Sequence, residues 1–223
     1  MSDFFKTKSQ FYLPEGMIYL DGNSLGPLPK KAQERIQHTL NKEWGEMLIT
    51  GWNKAGWMDQ PNKVGDRIAK LIGAASKTVT VGDTLSIKIF QALASATNYQ
   101  KKRKVLLTDS SNFPSDIYAA QGLVNMIQAD HELKIVSTDN LIENINENIA
   151  AVFFTEVDYK TGRRYDAKKI IKAAKQNGSL VILDLAHSAG AIDTNLTELD
   201  VDLAVGCTYK YLNGGPGSPA FIY

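Results

Sequence analysis

Lys210 stands in Thr208-Tyr209-Lys210-Tyr211-Leu212-Asn213-Gly214-Gly215-Pro216-Gly217, between aromatic side chains and ahead of a glycine-rich loop. A lysine shielded by aromatic rings loses hydration, which favours the neutral amine and makes it a nucleophile for an aldehyde. An ordinary surface lysine in a turn has the same local pattern. Asp184 closes the apolar run Leu180-Val181-Ile182-Leu183, with no Lys or Arg immediately around it. A buried carboxylate needs a cationic partner to stay ionised, and a pyridinium nitrogen is one such partner; capping of the next turn is the other use of an Asp here. His187, three residues on, suits such a site or a structural hydrogen bond. Gly82-Asp83-Thr84-Leu85-Ser86 joins an expected strand to an expected helix, where free N–H groups can seat a phosphate, although Asp and Thr also serve as plain N-caps. The specific signal is the conjunction: a strand-end Asp, one helical unit, a strand-end Lys, and a phosphate seat on an earlier strand.

The elements that must position these residues follow from the apolar spacing. Val79–Gly82, Val105–Thr108, Leu133–Val136, Ala151–Thr155, Leu180–Asp184 and Leu203–Gly206 read as strands. Leu85–Tyr99, Ser115–Ile127, Leu141–Ile145 and Ala167–Gln176 have the three- and four-residue spacing of crossover helices, with Gly178 as a stop for the last. The strands are apolar throughout, which fits a mostly parallel sheet covered by helices on both faces, an α/β architecture. Ligands of such sheets gather at the carboxyl ends of the strands. The first seventy residues differ: an extended Met17–Asp21, a turn at Gly22-Asn23-Ser24-Leu25-Gly26-Pro27, a helix from Pro29 to about Leu48, the Trp52–Trp57 loop, and a second helix over Asn62–Ile72. The expected division is an N-terminal segment, residues 1–73, and a large domain, residues 74–223.

Composition narrows the function classes. With 43% apolar residues in a chain of 223, a sizeable core can be buried. Lys and Arg total 25 against 24 Asp and Glu, so there is no basic footprint for nucleic acid or an anionic membrane. The run Lys101-Lys102-Arg103-Lys104 reads as a solvated turn before a strand. The single Cys207 excludes an internal disulfide framework, and the three His lack the close spacing of a zinc site, so no metal is expected. No long apolar run or secretion signal is evident, and the expected location is the cytoplasm. No glycine-rich nucleotide fingerprint is present, so the phosphate belongs to something other than a dinucleotide or nucleoside triphosphate.

The order Asp184-Leu185-Ala186-His187-Ser188-Ala189-Gly190, then Cys207-Thr208-Tyr209-Lys210-Tyr211, resembles the fold-type I, class V aminotransferase-like enzymes that use pyridoxal 5'-phosphate (PLP). Within them, Leu20 to Pro27, Trp52-Asn53-Lys54-Ala55-Gly56-Trp57, Asn112-Phe113-Pro114-Ser115-Asp116 and Tyr159-Lys160-Thr161-Gly162 resemble the kynureninase family, from about residue 18 to the last. The resemblance implies that Lys210 carries PLP as a Schiff base, that Asp184 pairs with the pyridine nitrogen, and that His187 lies near the ring oxygen. It further implies Phe113 stacked on the ring, with Thr84, the Leu85 backbone and Tyr209 at the phosphate. Pro114, Ser115, Asp116 and Thr155 fall on family cofactor positions. Relatives often carry a hydroxyl where Leu85 stands, so here only its backbone N–H can serve.

The activity so implied is hydrolysis of L-kynurenine or its 3-hydroxy form to anthranilate or 3-hydroxyanthranilate and L-alanine, in tryptophan degradation and NAD biosynthesis, by a homodimer. Family members continue beyond Tyr223 into a domain carrying a substrate-carboxylate arginine, so this chain is expected to be incomplete and inefficient alone. Two alternatives stay open: a cysteine desulfurase or selenocysteine lyase, which needs a persulfide cysteine in a mobile loop rather than Cys207 beside Lys210, and a non-catalytic interaction module.

Overall fold

A computed structural model describes residues 3–127 and 130–223. The helices are α1 (Phe4–Lys8), α2 (Lys30–His38), α3 (Gly51–Lys54), α4 (Gln60–Leu71), α5 (Leu85–Tyr99), α6 (Pro114–Ile127), α7 (Ala167–Gln176) and α8 (Leu196–Leu199). The strands are β1 (Thr80–Val81), β2 (Val105–Asp109), β3 (Glu132–Val136), β4 (Ile149–Thr155), β5 (Leu180–Asp184), β6 (Leu203–Gly206) and β7 (Phe221–Ile222). They form one sheet in the order β1-β7-β6-β5-β4-β2-β3. The pairings among β3, β2, β4, β5 and β6 are parallel, and β7 runs antiparallel between β6 and β1. The expected α/β sheet with helices on both faces is therefore present.

The continuous apolar strands have a direct reading in the packing. Side chains alternate across a strand, and in β4 Ala151 and Phe153 meet α5 and α6, whereas Val152 and Phe154 meet α4 and α7. Both faces are dry, so both parities must be apolar. Ile68 and Ala69 of α4, and Ile72 just after it, pack in the same core as Val181, Leu183 and Phe221. Phe153 has no exposed surface. Its replacement by alanine is expected to cost about 3–5 kcal/mol through lost transfer energy and a residual cavity. A guanidinium titration checks this, as a lowered midpoint at unchanged slope.

Two expected helices differ from the structure. Leu141–Ile145 forms no helix; the crossover from β3 to β4 uses two 3-10 turns, Thr138–Asn140 and Ile142–Asn144. Asn side chains there bond the backbone in place of a helical ladder, Asn144 Nδ2 donating to Asn140 O at 2.9 Å and Asn146 Oδ1 accepting from Asn148 N at 3.0 Å. Leu141 and Ile145 still enter the core. The helix expected from Pro29 to Leu48 is regular only to His38, and Thr39–Trp44 is a π turn. That turn brings Glu43 inward, where its carboxylate meets Arg35 at 2.8 Å and Trp57 Nε1 at 2.9 Å. A π turn of this kind widens the helix locally. The run at Lys101–Lys104 does precede β2, but Arg103 is half-buried and donates to the carbonyls of Ile149 and Asn177.

Candidate active site

The carboxyl ends of β2, β4, β5 and β6 and the amino end of α5 converge on one side of the sheet. Thr84 is the N-cap of α5 in extended conformation, its Oγ1 accepting from Ile87 N at 3.4 Å. The next N–H groups, those of Leu85 and Ser86, remain free of intrahelical partners by position. Phe113 is set at the start of α6 by Asn112, whose Oδ1 accepts the Phe113 N–H at 2.7 Å and whose Nδ2 donates to Thr108 Oγ1 at 3.0 Å. Asp184 ends β5, and His187 follows in the turn after it. Lys210 sits beyond β6 in a loop stapled by Gly214 N to Thr208 O at 2.8 Å and by the Thr208 hydroxyl to Pro219 O at 2.5 Å.

Gly26 of the N-terminal turn docks on this loop, its N–H donating to Tyr209 O at 2.9 Å. A Cβ there would collide with the Lys210 carbonyl and Asn213. Glycine is thus required by close backbone approach, not by turn geometry alone. The Gly22–Pro27 motif is a buttress for the lysine loop.

A cavity of about 310 Å³ is lined by Thr84, Leu85, Ser86, Phe113, Ser115, Asp184, Ala186, His187, Tyr209 and Lys210. That volume is at the lower end of the roughly 300–1,000 Å³ range of small-ligand sites. A larger apolar cavity, about 590 Å³, lies between α4 and the Lys210 loop with Arg67 as its one charged lining residue. The reactive groups are all in the smaller one, and we place the site there. Of the residues singled out from sequence, Pro114, Asp116 and Thr155 do not line it. Thr155 Oγ1 donates to Val157 O at 3.0 Å, Pro114 opens α6, and Asp116, in its first turn, is fully buried.

The electrostatics are those of a dry site. Lys210 Nζ lies 2.5 Å from His187 Nε2 and 5.7 Å from the centroids of both Phe113 and Tyr209. Burial pushes the Lys210 ammonium below the usual lysine range, against the pull of Cys207, Asp184 and Asp116. Burial, then the Lys210 charge, depress His187 to about 4, so its ring is neutral at physiological pH. An ammonium has no lone pair, so a protonated Lys210 donates and Nε2 accepts. Asp184 is raised to about 6 by burial, opposed by the Ala186 N–H, which donates to Oδ1 at 2.9 Å, and by Lys210. Burial and the Asp184 charge raise Asp116 well above the carboxylate range.

Asp184 Oδ2 is buried without a hydrogen-bond partner. Buried carboxylate oxygens are ordinarily satisfied, so an orphan facing a polar cavity signals a ligand cation or donor. A flat ring with a cationic nitrogen, an aldehyde and an anionic arm finds in this cavity a carboxylate, an amine, aromatic faces and a helix N-terminus. PLP fits that donor set.

Sequence reasoning missed Tyr159 and Ala186. Tyr159 packs edge-on to Phe113 at 4.9 Å and stacks on His187 at 6.3 Å. Its motif Tyr159–Gly162 is visible in the chain, but nothing local says that the hairpin folds back onto β5. The Ala186 backbone carries no side-chain signal at all. Cys207 is buried, its thiol 3.7 Å from Ala186 O and pushed up by burial, which is unlike a mobile persulfide cysteine.

The doubly covered sheet with its lysine and aspartate at the strand ends defines a class, and residues 18–219 match the class-V aminotransferase family. The chain belongs to that family. More particularly, it is 47% identical over 221 residues to the kynureninase of Burkholderia mallei, covering 97% of this chain and 53% of that protein. The chain thus spans about half the length of the curated relatives it matches. Among solved structures, a cysteine desulfurase of Escherichia coli superposes with a TM-score of 0.80 at 18% identity, over 98% of this chain and 57% of the other. A C-DES mutant with glycine covalently linked to its PLP cofactor superposes with a TM-score of 0.78 at 16% identity, over 97% and 58%. At these identities the likeness concerns the fold. Among the described residues no helix is long and apolar enough to cross a membrane, and no cluster of metal-ligating side chains occurs.

Proposed function

We propose that this chain forms the cofactor-binding part of a PLP-dependent hydrolase that converts L-kynurenine, or its 3-hydroxy form, to anthranilate or 3-hydroxyanthranilate and L-alanine. The observation that carries the reading is the unpartnered Asp184 Oδ2 in one cavity with the Lys210 amine and the start of α5, joined to 47% identity with a kynureninase. In this reading residues 1–73 are the N-terminal segment and 74–223 the large PLP-binding domain. The same reading extends to a place in tryptophan catabolism and NAD biosynthesis, a cytoplasmic location and a homodimer.

PLP supplies an electron sink when bound, so that negative charge developing on the substrate carbon skeleton is delocalised. Lys210 holds the cofactor through Nζ and afterwards moves the substrate α-proton at that nitrogen, for which a depressed pKa suits it. Asp184, whose Oδ2 is unpartnered in the cavity, would hold the ring nitrogen and favour its protonated form. Phe113 and the neutral His187 would shield the ring from water, with Tyr159 packed against both. Thr84, the Leu85 and Ser86 N–H groups and Tyr209 hold the phosphate. Ser115 lines the same cavity, and Pro114 and the buried Asp116 and Thr155 lie beside it as supports rather than as lining residues.

The test uses the natural protein, loaded with PLP and offered L-kynurenine and, separately, L-cysteine. Anthranilate fluorescence growing with time, without sulfide from cysteine, is the expected result. Sulfide release with no anthranilate would transfer the chain to the desulfurase reading.

A further inference from the structure

Lys88 is a second buried lysine that the chemistry above does not use. Its side chain is 7% exposed, with Nζ 3.1 Å from Asp83 Oδ2 and 3.1 Å from Gln91 Oε1. Lysine is almost never buried without a counter-charge. Lys88 also lies near the amino end of α5, where the helix dipole is positive and disfavours a further cation. Asp83 offsets this only in part, because its side chain is 50% exposed and its field is screened by water.

The position of the ammonium follows from helix geometry. Side chains tilt toward the helix N-terminus, so Lys88 reaches back over the turn that precedes Thr84. A Cβ at Gly82 would stand 3.7 Å from Nζ, which puts the charge level with the end of β1. Asp83 has φ 54°, a left-handed conformation that a non-glycine residue adopts at some cost. The backbone there is tied to Ala220, Gly82 N donating to Ala220 O and Ala220 N to Asp83 O at 2.9 Å each, the Lys88 ion pair adds a side-chain tie, and the same turn delivers Thr84, Leu85 and Ser86 to the cavity. An ionised Asp83 one residue before the phosphate seat would by itself repel a phosphate.

We propose that Lys88 is a positioning residue for the phosphate seat: it neutralises Asp83, fixes the Gly82–Ser86 turn, and supplies positive charge behind the start of α5 that an anionic arm on the cofactor completes. The inference rests on the PLP reading of the cavity. It assigns a task to a residue that touches neither ring nor reacting atoms.

The experiment compares binding of PLP with binding of pyridoxal, which lacks the phosphate, by the natural protein and by Lys88→Met, Lys88→Gln and Lys88→Arg, each checked for folding by circular dichroism. Met and Gln are measured in parallel so that one misfolded variant leaves the other. Both are expected to weaken PLP by about tenfold or more, with pyridoxal unchanged, and Arg is expected to restore most of the preference. The 31P resonance of bound PLP should move in Met and Gln and return in Arg. Equal losses for PLP and pyridoxal, or no loss for either, would overturn the role of Lys88. A natural protein that binds neither compound would instead remove the PLP reading, and this inference with it.

Discussion

Replacing Lys210 with alanine is expected to abolish covalent attachment of the cofactor and to lower turnover by at least about 10³, since in the proposed function one residue is both the attachment point and the proton carrier. The check is borohydride reduction of the PLP-loaded protein followed by peptide mapping. Modification should fall on Lys210 and vanish in Lys210→Ala. Lys88 makes this a demanding test, because it is as buried as Lys210 and belongs to the first turn of α5, whose start lines the same cavity. Label on Lys88 would overturn the assignment. The variant should still fold: removing the ammonium takes an attractive charge from Asp184 and Asp116, but both carboxyls already sit above their usual range and respond by taking up protons.

Asp184→Asn is expected to separate stability from chemistry. The buried Asp184 titrates at about 6 against 3.8 ordinarily, so the folded chain favours its protonated form. Its contribution to stability is therefore fully present below about pH 4 and is lost as pH rises through 6. At 1.36 kcal/mol per pH unit, the ionised group costs the cofactor-free protein on the order of 3 kcal/mol at neutral pH. Asparagine removes that cost and can still accept the Ala186 N–H. The cofactor-free variant should thus unfold at higher temperature than the natural protein at pH 7, with the difference shrinking toward pH 4. Turnover should fall by about 10²–10³, the usual loss when one electrostatic partner of the reacting system is removed. Thermal unfolding across pH and steady-state anthranilate release give the two readings. Near-normal turnover would contradict the placement of Asp184 at the ring nitrogen.

Much of the site was legible in the chain because its parts are local. A strand written entirely in apolar residues must be covered on both faces, so its first polar residue marks a strand end, and Asp184 is such a residue. Lys210 follows one helical unit later, and Leu85–Tyr99 and Ala167–Gln176 carry their helical spacing in full. Gly178 stops the latter with φ 69°, as its type suggests.

What the chain could not decide is which strand-end polar group faces the cavity. Asp109 closes Val105-Leu106-Leu107-Thr108 much as Asp184 closes its own run. In the fold Leu107 and Leu183 share the α4/α7 face while Leu106 and Ile182 share the α5/α6 face, so parity turns the two aspartates to opposite sides. Asp109 Oδ1 accepts from the Thr138 and Tyr165 hydroxyls at 2.9 Å each, and Asp109 becomes structural, away from the cavity. Each aspartate keeps an unpartnered Oδ2, but only Asp184 lines the cavity, where a ligand can meet it. The sequence by itself determined the sheet, its double covering and the lysine and aspartate at its strand ends, because apolar periodicity and turn chemistry act over a few residues. Only the tertiary structure decided which face each strand end presents, the docking of Gly26 on the Lys210 loop, the stacking of Tyr159 on His187, and the burial of Lys88 against Asp83. Those contacts join residues far apart in the chain, and they are selected by packing and desolvation, which no local pattern records.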